Sequence, residues 1–150
     1  MMITRHVTAL LFTLTALLLA SVQAHADQKD FGEYTVLWSV FPSTLLAPEV
    51  AKANDLQRGN GIGVVNIAIM REAENGQLKP VNGQVEGSVS NDIQQTTFLG
   101  FRRIKEGDAV YFIAQYQYQS GGMMTFNVTA QPAGSEDDLP VRFTHTLFND

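Results

Sequence analysis

The stretch KEGDAVYFIAQYQYQSGGMMTFNVTAQ, Lys105 to Gln131, decides the fold. Val110, Phe112, Ala114, Tyr116 and Tyr118 fall on one face of its first half, and Met124, Phe126, Val128 and Ala130 on one face of its second. A period of two is the signature of a strand with one buried face. KEGD (Lys105–Asp108) and SGG (Ser120–Gly122) supply tight turns on either side of the first run.

The same pattern continues outward in both directions. EYTVLWSVF (Glu33–Phe41) is a strand with Tyr34, Val36, Trp38 and Val40 on one face; Leu37 and Phe41 make its other face partly apolar, so both sides are expected to be covered. GIGVVNIAIMRE (Gly61–Glu72) follows, with Val65, Ile67 and Ile69 alternating with Asn66 and Ala68. Asn75-Gly76 reads as a two-residue hairpin turn, because both residue types tolerate positive φ. VNGQVEGSVS (Val81–Ser90) reads as a polar edge strand with a bulge at Asn82-Gly83. QQTTFLGFRRI (Gln94–Ile104) is taken as one strand, and VRFTHTLF places Val141, Phe143, His145 and Leu147 on one side. About seven strands with turns every 8 to 12 residues predict an all-β, immunoglobulin-like antiparallel sandwich.

One segment breaks the pattern. STLLAPEVAKAND (Ser43–Asp55) predicts a short helix, with Pro48 in its first turn and Leu46, Val50 and Ala53 on one face. Asn54 can end it in the left-handed conformation. Two turns are too short to stand alone, so the helix is expected to pack on the sandwich as a crossover from one sheet to the other.

Residues 1–26 read as an address. Arg5, the apolar run Val7–Val22 and the Ala24-His25-Ala26 cleavage pattern make a secretory signal peptide. The apolar run is shorter than the ~20 residues of a membrane span, so no stable anchor is expected after cleavage. The remainder, 27–150, is expected to be a single periplasmic domain, with secretion beyond the periplasm left open. It carries nine basic and fifteen acidic residues, a net charge of −6 that disfavours nucleic acid or an anionic membrane as partner. The chain has no cysteine. Its apolar core must therefore hold it together without disulfides, and thiol chemistry and Cys-ligated metals are excluded.

Candidate chemistry is sparse. GNGIG (Gly59–Gly63) resembles a phosphate loop, but its helix precedes the glycines and a strand follows, the reverse of what anion binding at a helix N-terminus needs. His145, the sole histidine beyond residue 26, lies on an apolar strand face and is expected to be a hydrogen-bonded core residue. No metal site is expected from one histidine without cysteine, nor any cofactor. Glu106 and Asp108, and the loop Glu136–Asp138, read as solvated turns, with weak Ca²⁺ binding as the other possibility. Tyr116 and Tyr118 read as core, with the Tyr118 hydroxyl in water at the sheet end. The sequon Asn127-Val128-Thr129 sits in a strand and reads as coincidence.

The segments FGEYTVLWSVFPSTLLAPEVAKAN (Phe31–Asn54), GVVNIAI (Gly63–Ile69), FRRIKEGDAVYFIAQY (Phe101–Tyr116) and VRFTHTLF (Val141–Phe148) resemble a bacterial family of exported proteins, domain of unknown function 4426. The resemblance implies a small exported immunoglobulin-like domain of Gram-negative bacteria and supplies no catalytic residues. Pro48, Glu49, Asn66, Glu106, Gly107 and Asp108 fall within the shared segments, which suggests that the helix and the acidic turn form one surface.

The sequence thus predicts a non-enzymatic interaction or accessory module, with an envelope protein as partner. The second reading is a small-molecule binder with a cleft under the helix, lined by Trp38 and the tyrosines. Candidate binding residues are Trp38, Pro48, Glu49, Asn66, Glu106 and Asp108.

Overall fold

A computed structural model describes residues 26–149. Within them the chain forms ten strands: β1 (Asp27–Phe31), β2 (Tyr34–Pro42), β3 (Ile62–Glu72), β4 (Leu78–Pro80), β5 (Gly83–Ser90), β6 (Thr96–Leu99), β7 (Arg102–Glu106), β8 (Ala109–Gln117), β9 (Met123–Pro132) and β10 (Leu139–Thr146). A 3-10 turn (Ser43–Leu45) and the helix α1 (Pro48–Ala53) lie between β2 and β3. The signal-peptide reading falls on residues 1–26, of which 1–25 lie outside the described residues.

All pairings are antiparallel and make two sheets, β1-β2-β3-β8-β7 with β4 also on β3, and β10-β9-β5-β6. With β2 taken as strand A, the orders become A-B-E-D and G-F-C plus one further strand, the connectivity of the immunoglobulin sandwich. The alternation in Lys105–Gln131 is realised: Val110, Phe112, Ala114, Tyr116, Met124, Phe126, Val128 and Ala130 are all buried between the sheets. The short hairpin partner β1 is polar and exposed, and it carries too little apolar alternation to be read as a strand from its sequence.

Several expectations need correction. The helix is not a crossover, because β2 and β3 pair directly, from Tyr34 opposite Arg71 to Pro42 opposite Gly63. The helical segment is therefore an insert within one hairpin connection. Its buried residue is Ala51, followed by Leu56, while Val50 and Ala53 face solvent. The left-handed residue is Asp55 at φ 55°, not Asn54. This one-residue shift completes a Schellman motif, in which the Leu56 N–H donates to the Ala51 carbonyl at 2.8 Å and Asp55 N–H to that of Lys52 at 3.3 Å. The motif turns Leu56 back beside Ala51, so both apolar side chains are buried.

Val81–Ser90 is an edge only in its first half. β5 lies between β9 and β6, although β6 covers only Gly87–Ser90. The feature at Asn82-Gly83 is the point where the chain changes sheets: Val81 still donates to Ile69 of the first sheet at 2.9 Å, whereas Gly83 already pairs with Pro132. Gln94–Ile104 likewise splits at Gly100–Phe101 into β6 and β7, which belong to different sheets. The turn at Asn75-Gly76 spans three residues, with Gly76 N–H donating to the Ala73 carbonyl and only Gly76 at positive φ. A three-residue loop with glycine at the left-handed position suits the twist of a hairpin.

Aromatic side chains link the sheets. Trp38 stacks on Phe143 with ring centroids 5.0 Å apart, Phe143 on Phe126 at 4.9 Å, and Phe126 meets Tyr116 edge-on at 5.1 Å. The Tyr116 ring lies flat against Gly63 on the neighbouring strand, where an added Cβ would stand 2.5 Å from Tyr116 Cζ. Gly63→Ala should therefore overpack the core and destabilise by about 1–3 kcal/mol, read as a lower urea midpoint with an unchanged slope. An unchanged midpoint would mean that the Tyr116 ring can move aside.

His145 is half-buried rather than a hydrogen-bonded core residue, and its side chain makes no hydrogen bond among the described residues. Burial lowers its pKa below 6.5, with the Asp27 carboxylate pulling the other way. A lowered folded-state pKa means the unfolded chain binds the proton more tightly. The stabilisation is then complete above about 6.5 and declines as pH falls below that value. His145→Gln should flatten the stability profile in that window, measured by urea unfolding between pH 8 and roughly 5.

Candidate functional site

Two side chains strap the insert to the outer face of the first sheet, and a third ties its two ends together. Ser43, fully buried, accepts from the Gly59 N–H and donates to the Gly59 carbonyl, both at 3.0 Å. The Gln115 amide reaches from β8 and bonds the Gln57 backbone twice, accepting at 2.9 Å and donating at 2.8 Å. Arg102 from β7 donates to the Asn54 and Asp55 carbonyls at 3.1 and 2.9 Å. The strap closes over Val64, which has no exposed surface although it lies on the outer face.

This arrangement brings the insert to the end of the sandwich where the β5–β6 loop and the β8–β9 turn also lie. Together they line a cleft of about 900 Å³. Its lining includes Val89, Tyr116 and Met124, all buried core residues. Gln57 and Ile62 contribute from the insert side, Asn91–Ile93 and Gln95 from the loop, and Gln117–Met123 from the end of β8 and the turn. The size lies within the range of ordinary ligand pockets, about 300–1,000 Å³.

The loop wall is held in place by its own polar groups. Asn91 Oδ1 accepts from the Gln95 N–H at 2.8 Å, Asn91 Nδ2 donates to Gln95 Oε1 at 2.8 Å, and Gln94 adopts φ 61° between them. Ile93 is thereby presented at the loop tip, 71% exposed, and Met123 across the turn is 50% exposed. The opposite wall is latched to the C-terminal segment: the Tyr118 hydroxyl donates to Asn149 Oδ1 at 2.6 Å, and Gly121 N–H to the Leu147 carbonyl at 2.9 Å. The Tyr118 hydroxyl is thus satisfied inside the protein rather than by water. Tyr116, also on the lining, has a buried hydroxyl without a hydrogen-bond partner among the described residues. Burial, and then the neighbouring Tyr118, push its pKa well above the usual phenol value, so it stays a protonated donor.

The residues singled out from sequence are dispersed. Pro48 and Glu49 are exposed at the start of α1. Glu106 and Asp108 are exposed in the turn between β7 and β8. Ile62, where the chain leaves the insert, pairs with Gln117 at one end of β8, and Glu106 pairs with Ala109 at the other, about 25 Å apart along the strand. The end of the helix lies between them, held at Asn54 and Asp55 by Arg102, four residues before Glu106 on β7. Asn66 lies mid-strand on the outer face between Ser39 and Ile113, its Oδ1 buried and unpartnered among the described residues. Trp38 packs on Phe143 and is not part of the cleft, whereas both tyrosines are.

Sequence reasoning missed Ser43, Gln115 and Arg102 as straps, and Ile93, Gln95 and Met123 as cleft residues. In the run Gln115–Gln119 three glutamines alternate with the two core tyrosines, which was the available signal. Among the described residues no group of three or more His, Cys, Asp or Glu side chains could hold a metal ion. No described helix is long and apolar enough to cross a membrane.

Comparisons with known proteins agree with this architecture. Among curated proteins none matches the chain. A crystal structure of a DUF4426 family protein from Pseudomonas aeruginosa PAO1 is similar, with a TM-score of 0.73 and 30% sequence identity over 83% of this chain and 96% of that one. The family model for the domain of unknown function DUF4426 matches residues 28–150, and the chain belongs to that family.

Proposed function

We propose that this protein is exported through residues 1–26 and works in the periplasm as a non-enzymatic binding module, with the cleft beside the insert as its working site. The observation that carries the reading is the cleft itself, assembled from three separate segments of chain. Ile93 and Met123 stand exposed on its walls, held out by a hydrogen-bonded loop and a tight turn. Exposed apolar side chains on preformed loops are a common basis of recognition. The charged side chains that a hydrolytic mechanism would draw on, Glu106, Asp108 and Glu136–Asp138, stand in solvent and outside the cleft lining. An acidic net charge favours a protein partner of the envelope over nucleic acid or an anionic lipid surface. No cofactor enters this reading. A small ligand is the second reading, and the volume of the cleft is what favours it.

Two measurements test the proposal. The intact mass of the protein released by osmotic shock should correspond to a chain starting at Asp27. A cytoplasmic protein of full length would overturn export. A photo-crosslinking amino acid placed at Ile93 should give a defined adduct in cells, while the same group at Glu136, in the loop between β9 and β10 at the other end, should not. Equal labelling from both positions would overturn the cleft as working site.

A further inference from the structure

We propose that the cleft receives an extended peptide segment that is neutral or cationic and carries an apolar side chain; this rests on the binding-module reading above. The lining is rich in side-chain amides, Asn91, Gln95, Gln117 and Gln119, joined by the hydroxyls of Thr97 and Ser120. Asn91 and Gln95 are largely spent on each other, but Gln117 and Gln119 each offer a donor and an acceptor side by side, the complement of the N–H and C=O that an extended backbone presents in alternation. Asp92 is the one charged residue of the lining. An anionic ligand would meet that carboxylate without a Lys or Arg to offset it, whereas a neutral or basic segment meets no repulsion.

The apolar part of the site speaks against a sugar. Stacking on a sugar ring needs an open aromatic face, and the two aromatic residues of the lining, Tyr116 and Tyr118, are only 4% and 8% exposed. What the cleft exposes instead are an aliphatic and a thioether side chain, Ile93 and Met123. These suit the side chain of a peptide, and methionine adapts to several shapes. The loop that carries Ile93 is already ordered by the Asn91–Gln95 bonds, so little entropy is lost there on binding.

The test is a titration of isotope-labelled protein, purified from the periplasm, followed by NMR of the Gln95, Gln117 and Gln119 side-chain amides. The probes are a pool of acetylated, amidated hexapeptides with Leu, Val, Phe or Met alternating with Ser, the same pool with Glu in place of Ser, and a neutral glucose hexasaccharide. The Ser pool should shift these resonances saturably, and the Glu pool should bind about ten-fold more weakly. The exposed-residue variant Ile93→Ser/Met123→Ser should also lose about ten-fold while unfolding at the same urea midpoint. Shifts from the hexasaccharide but not from peptides would overturn the peptide class and leave the binding module standing. No shift from any probe, with the Ile93 crosslink retained in cells, would likewise overturn only the peptide class. Loss of both signals would overturn the two proposals together.

Discussion

Phe126 has no exposed surface, and its contacts hold the two sheets in place. It stacks on Phe143 within its own sheet and meets Tyr116 of the other sheet edge-on, while Trp38 closes the far end on Phe143. Such aromatic pairs contribute about 0.5–1.5 kcal/mol each beyond the area they bury. Antibody domains with this connectivity join strands B and F by a disulfide. Here the corresponding strands, β3 and β9, are joined by packing alone, with Val65, Ile67, Phe126 and Val128 at most 2% exposed. Tyr116 belongs to both systems. Its ring ends the edge-on contact with Phe126, and it also lines the cleft. The floor of the cleft is therefore part of the core itself.

That double role requires Gly63. Any side chain there would displace the Tyr116 ring, and with it both the link to Phe126 and the shape of the cleft. The ring covers the glycine backbone in place of a Cβ, and its hydroxyl is buried there without a partner among the described residues. An unpartnered buried hydroxyl costs about 1–3 kcal/mol.

The inner faces of the sandwich were legible because burial on one side of a strand writes a period of two into the sequence, as in Val110–Tyr118 and Met124–Ala130. The outer layer was not. Leu37 and Phe41 pointed to cover on both sides of the first strand, but periodicity cannot say what covers it. The sheet changes at Asn82-Gly83 and Gly100–Phe101 leave the alternation almost undisturbed, so the first read as a bulge and the second as continuous strand. The cleft was legible only in part. Its tyrosines follow from strand periodicity, but Ile93, Gln95 and Met123 come together through loops whose positions depend on the full connectivity. Glutamines on the solvent side of β8 look like ordinary surface residues until the insert is placed over them.

The insert in turn explains why β2 and β3 are not joined by a tight turn. A two-residue hairpin would have left the outer side of Val64 in water and the Gln115 amide with nothing to hold. Residues 43–61 instead fold back over β3 and β8, bury Ala51 and Leu56, and place Gln57 on the cleft wall. The helix contributes little by itself, since six residues cannot sustain a helix in water. Its stability comes from the Schellman turn and from the Ser43, Gln115 and Arg102 bonds, most of which contact backbone rather than side chains. Bonds to backbone fix where the segment lies while leaving most of its side chains unconstrained. Pro48 and Glu49 are thus carried on a segment held rigidly to the sandwich yet remain exposed, and the same clamps fix one wall of the cleft.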